Sequence, residues 1–218
     1  MLAFARKEPS AVLFFTQLAA LLLYPAMESR EVGRALFSVL GIAFLGLVLL
    51  AVRGSPTWTW VGVLLAIPAS VLLLIQAVSG SDALLPYSSA FEAVLYFYAA
   101  GGLLAYMLAD HEITRDELFA VGATFTLVAW GFAHAYVVCQ AIDPGTFTAA
   151  VDPKGDRSWI ELLFLSFTTL SSTGLSDVVP IRSFARGLVM LEQLAGVAYV
   201  AMVVSRLVGI MVTRRAAD

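Results

Sequence analysis

The 218-residue sequence predicts an all-α membrane protein with six transmembrane helices and a re-entrant half-helix between the fifth and the sixth. Three observations predict this. The chain is 60% hydrophobic and only 13% charged, whereas an ordinary soluble domain is about 25% charged. A soluble fold of ~150 residues buries only ~70% of its unfolded area, so water could not be kept from this much apolar surface. The apolar residues also gather into six stretches near the ~20 residues that cross a bilayer. Finally, one connection holds an apolar run too short to cross. A soluble enzyme and a disordered chain are both excluded. The formal charge of −3 leaves no basic footprint for nucleic acid. A lone cysteine, Cys139, rules out a disulfide framework or a cysteine metal cluster and reads as a small buried residue.

The first stretch runs from Ser10 to Met27, behind the polar start at Arg6 and Lys7. A signal peptide would need a small-x-small cleavage site, and none closes the run before Glu28. The second covers Ala35 to Val52. The third covers Thr57 to Val78, with Trp58 and Trp60 at its start, where interfacial aromatics belong. The fourth, Ala90 to Leu108, contains Glu92 but no Lys or Arg. The fifth runs from Leu118 to Ile142 and the last from Phe184 to Val212. Lys and Arg divide evenly between the two sides, so charge does not set the orientation.

The connection from Asp143 to Ser183 differs from the others. It opens on the turn signal Asp143-Pro-Gly145 and passes through a polar stretch ending at Arg157. Ser158 followed by Glu161 is a capping-box pattern for starting a helix. The apolar run from Ile160 to Leu170 gives ~11 residues, about 16 Å as a helix, which is too short to span. A helix entering halfway must return as non-helical backbone, and that is tolerated only inside protein or beside water. Span, half-helix, polar loop and span form a pore-loop pattern.

From Phe164 the sequence reads Phe-Leu-Ser-Phe-Thr-Thr-Leu-Ser-Ser-Thr-Gly-Leu-Ser-Asp-Val-Val-Pro180. This resembles the pore segment of the tetrameric potassium-channel superfamily, whose usual form is TTLTTVGYGDxxP. It is similar to the bacterial "ion channel" branch, in which four further spans precede a two-span pore module. The resemblance covers residues 117–212. It implies a four-helix N-terminal membrane domain over 1–116 and a pore domain over 117–218, with outer helix, pore helix, filter and inner helix. Thr168, Thr169 and Leu170 match the end of the pore helix. Ser171 and Ser172 replace threonines, Thr173 replaces the valine, and Gly174 matches the first filter glycine. Leu175 replaces the tyrosine and Ser176 the second glycine, while Asp177 and Pro180 match outright. Arg186 and Gly196 fall at family spacing, Gly196 at the position of the gating-hinge glycine. The Thr-Gly-Leu-Ser run is also similar to the single-glycine loops of Trk-type potassium transporters.

The resemblance implies four loops meeting on one axis, where backbone carbonyls replace an ion's water shell. Pore helices would point their negative ends at a central cation. A pair of glycines normally supplies the left-handed angles that turn carbonyls inward. With Gly174 alone, Ser176 would cost of order 1 kcal/mol or more in that conformation. Leu175 removes the phenol that bonds behind the filter. The expectation is fewer ordered ion sites and a weak preference for K+ over Na+, which Leu175→Tyr with Ser176→Gly should strengthen.

The fourth span has no arginine ladder, so a voltage sensor, which needs several charges in the field, is not expected. The four leading helices are read as packing, through small residues such as Gly41, Gly46, Gly101 and Gly102. Intramembrane Glu192 is a candidate support for the filter, bonded to Ser166, or a residue near the water-filled cavity, with an interfacial glutamate paired to Arg186 or another helix as the alternative. Asp177 would support the filter entrance or charge it negatively. Arg206 is expected to snorkel, with an inter-subunit salt bridge as the sharper reading. His111 reads as solvated and His134 as bonded to a neighbouring helix, with pH sensing the alternative. No His/Cys/Glu spacing suits a metal site, and no nucleophile pair supports an enzyme.

The sequence therefore predicts a homotetrameric, multi-pass channel of the cell inner (plasma) membrane, conducting monovalent cations passively. Ser171 to Ser176 would form the filter. No cofactor and no small-molecule substrate are expected beyond permeant K+ or Na+. The rival readings are a non-conducting scaffold or regulatory subunit, and a sodium or divalent channel relying on Asp177.

Overall fold

The computed structural model describes residues 8–28, 41, 44–48, 59–79, 82–109 and 114–217. Six helices carry the labels used below: α1 (Pro9–Glu28), α2 (Thr59–Ser79), α3 (Leu85–Leu108), α4 (Arg115–Ile142), α5 (Trp159–Leu170) and α6 (Ser183–Ala217). Two three-residue strands, β1 (Phe147–Ala149) and β2 (Val178–Pro180), pair antiparallel. Among the described residues, four helices are long and apolar enough to cross a membrane: α2, α3, α4 and Ser183–Arg206 of α6. The first sequence stretch forms α1. Most of the second lies outside the described residues, although Phe44, Leu45 and Val48 are helical and buried in the core. His111 also lies outside them.

Local chemistry explains the boundaries. Thr114 caps α4 by accepting from the Glu117 amide at 3.2 Å, and Asp116 and Glu117 place negative charge in its first turn. The expected start at Leu118 is therefore three residues late. The fourth span begins at Leu85 rather than Ala90, because Pro86 occupies the first turn, where its missing N–H and fixed φ favour a helix start. A 3₁₀ turn, Asp82–Leu84, leads into it.

The helices pack around α4. Its face toward α3 buries Leu127, Trp130 and Ala133 against Tyr96, Ala99 and Leu103. α1 lies along another side of α4: Ser10 donates from its amide (2.9 Å) and its hydroxyl (2.8 Å) to Asp116, and Gln17 donates to the Ala123 carbonyl. The outward face of α2 exposes Leu64, Ile67, Val71 and Leu74, as a lipid-facing stripe would. Of the small residues expected to pack closely, Gly41 would place a Cβ 3.5 Å from the Leu73 side chain, while Gly46 and Gly101 make no close contact. A Cβ on Gly46 or Gly101 would meet open space, whereas one on Gly122 or Gly131 would strike the rings of Phe14 or Phe97. Two glycines that admit neighbouring aromatic rings thus sit on α4.

Candidate functional site: the pore-loop module

α5 starts as the capping pattern predicts. Ser158 accepts from the Glu161 amide, and Glu161 accepts from the Ser158 amide at 2.7 Å. The helix is 12 residues long and ends at Leu170. Its end is a Schellman motif: the Ser172 amide donates to the Thr169 carbonyl and the Thr173 amide to the Thr168 carbonyl, both at 3.0 Å. Ser172 holds the left-handed position at φ 60°. The Gly174 amide also donates to Thr168 O at 3.0 Å, with Gly174 at φ 67°. One carbonyl at the negative end of the pore helix therefore gathers two amides, and the Thr173 hydroxyl approaches it at 3.3 Å.

This corrects the expected location of strain. Ser176 is not left-handed; Ser172 takes that conformation instead, two residues before Gly174. A serine is needed at neither position for its φ, and the cost expected at Ser176 falls on Ser172. The Ser176 hydroxyl accepts from the Val178 amide at 3.0 Å, turning the chain into β2. Ser171 Oγ donates to Phe167 O at 2.6 Å and lies 3.1 Å from Thr173 Oγ1. Ser171 through Leu175 and Asp177 are exposed, Leu175 to 78%.

Support comes from the inner helix. Glu192 on α6 is fully buried and accepts hydrogen bonds from Ser166 on α5 and from Tyr136 on α4. Ser166 also lies 2.8 Å from the Ala129 carbonyl of α4. One carboxylate thus ties together the outer, pore and inner helices. Arg186 does not join it; its Nε donates to Pro180 O at 3.2 Å. Gly196 lies against Leu170, the last residue of the pore helix. The Tyr199 hydroxyl donates to Val121 O at 2.6 Å, closing α6 onto α4 below the loop.

Two further polar joints lie on the same helices. Arg206 pairs with Glu117 of its own chain at 3.2 Å, a contact the sequence did not suggest. His134 Nδ1 lies 3.2 Å from both Ser89 Oγ and Glu92 Oε2 of α3, so a neighbouring helix does satisfy it. Cys139 is free and buried. Among the described residues, no cluster of three or more His, Cys, Asp or Glu could hold a metal ion.

Sequence reasoning missed Tyr136, the Leu170–Gly196 contact and the two-stranded sheet. Strands of three residues are too short for a period-2 pattern, although Val178 and Val179 are β-branched. Tyr136 carried no signal, because its partner lies 56 residues away.

An outer helix, a half-length pore helix, a loop folded on that helix's carboxyl end and a long inner helix define a channel pore module. Residues 120–213 match the family described as "Ion channel", and the chain belongs to the potassium-channel superfamily. It is 32% identical over 103 residues to Protein LctB of Bacillus caldotenax, covering 46% of this chain and 76% of that protein. Protein LctB of Geobacillus stearothermophilus is 33% identical over the same coverage. No solved structure matches the chain.

Proposed function

We propose that the protein is a homotetrameric cation channel of the cell membrane, with six spans and α5 re-entering between the last two. Four copies of the Thr173-Gly174-Leu175 loop would line one axis, because a single loop cannot enclose a path. The permeant ions are monovalent, K+ foremost, with weak discrimination against Na+. The carrying observation is the fold-back of Thr173 and Gly174 onto Thr168 O, which sets this short loop at the negative end of the pore helix. Weak selectivity is supported by the two left-handed residues lying at the entry to the loop, with none at Ser176 or beyond to turn outer carbonyls inward.

The test is a reversal potential of the purified protein in planar bilayers under potassium/sodium bi-ionic conditions. A reversal near zero, with currents above protein-free controls, supports a channel that passes both ions. A strongly K+-selective reversal overturns weak selectivity. A Gly174→Ala variant separates pore current from leak: an unchanged current in that variant would remove the loop from the conduction path.

A further inference from the structure

The turret between α4 and α5, residues 143–158, holds a buried cation. Arg157 is 6% exposed. Its guanidinium donates to the carbonyls of Val151 (3.3 Å), Asp152 (2.6 Å) and Gly155 (3.1 Å), and to Glu161 Oε1 (3.1 Å). Its own amide donates to Gln140 Oε1 at 2.9 Å, and Gln140 Nε2 donates back to the Arg157 carbonyl at 3.0 Å. Arg157 therefore winds the turret around itself while Gln140 locks it to α4 and Glu161 to the start of α5.

The turret continues this hold to the far end of the loop. Thr148 Oγ1 donates to Pro153 O at 3.0 Å, joining β1 to the caged segment. β1 then pairs with β2 in the register Thr148↔Val179, and the Ile181 amide donates to Thr146 O at 2.9 Å. Val178 and Phe147 are buried beneath the sheet. Beyond Ser176, this sheet secures the chain leaving the loop, together with Arg186 Nε on Pro180 O, while Leu175 and Asp177 are exposed.

We propose that Arg157 is a positioning residue for the outer end of the filter, acting through the turret and the β1–β2 sheet; this rests on the channel reading above. Arginine suits the task because its planar fork serves several carbonyls at once, which the point charge of lysine cannot do. The inner end of the loop is held by Thr168 O, and the outer end by a cage whose centre lies about 20 residues earlier in the chain.

The full chain is reconstituted with Arg157→Lys, which keeps the charge and loses the fork. The K+ current per reconstituted protein should fall by roughly threefold, and exchange of the Val178 and Ile181 amides should accelerate by about tenfold or more. Exchange in α3 should not change. Adding Thr148→Cys and Val179→Cys to that variant clamps the sheet directly. Oxidation should restore both readouts, and reduction should abolish the rescue. Unchanged exchange at Val178 and Ile181 in Arg157→Lys would overturn the proposal, as would a formed cross-link that restores neither readout. If the parent protein passes no ion, the channel reading falls, and the exchange experiment still decides whether Arg157 holds this segment.

Discussion

Gly196 of the inner helix lies so close to Leu170, the last residue of the pore helix, that a Cβ there would sit 2.1 Å from the Leu170 carbonyl oxygen. The obstacle is backbone, so it cannot swing aside as a flexible side chain would. This contact requires glycine whether or not the helix bends there. Gly196→Ala should push the pore helix off α6 and cost about 1–3 kcal/mol, read as a lowered melting temperature in lipid nanodiscs. A native melting temperature with altered gating would return the residue to a hinge role alone.

Glu192 is the polar centre of the three-helix contact. Glu192→Ala leaves the Ser166 and Tyr136 hydroxyls buried without this acceptor, which should destabilise the protein by about 1–3 kcal/mol. Glu192→Gln retains one carbonyl oxygen and should cost less. Thermal unfolding of the two variants beside Tyr136→Phe gives the ranking. Equal losses for Ala and Gln would mean that the negative charge, and not the acceptor geometry, matters.

Ser172 holds a left-handed angle at the Schellman position, where glycine is the common choice. Ser172→Gly should therefore leave the fold intact and stabilise the helix end by about 0.5–1 kcal/mol. Ser172→Val should destabilise it, because a branched side chain disfavours that conformation. A melting temperature lowered by glycine would place the importance of Ser172 in its hydroxyl.

The pair of Arg206 and Glu117 joins α6 to α4 at 3.2 Å, with both side chains largely buried. Arg206→Met should cost about 3 kcal/mol by stranding the carboxylate. Exchanging the charges, Arg206→Glu with Glu117→Arg, should recover part of that loss. A double-mutant cycle checks it: coupling of about 0.5–3 kcal/mol is expected, and additive effects would mean that the contact carries no energy.

What was legible in the sequence was what its local physics encodes. The long apolar runs, the Ser158–Glu161 capping box and the short length of α5 each follow from neighbours within a few residues, so spans and half-helix could be read in order. Even the misplaced start of the fourth span had a local cause in Pro86. The pore-loop motif likewise sits in one uninterrupted stretch from Thr168 to Gly196. The tertiary structure decided the rest. Whether Ser172 or Ser176 takes the left-handed angle depends on where Thr168 O finds its donors. Arg157 is a cage centre only because Gln140 and Glu161 converge on it, and Gly196 is indispensable only because Leu170 arrives there. In each case the deciding partner is brought in by helix packing, and a residue's type does not record which distant atom will meet it.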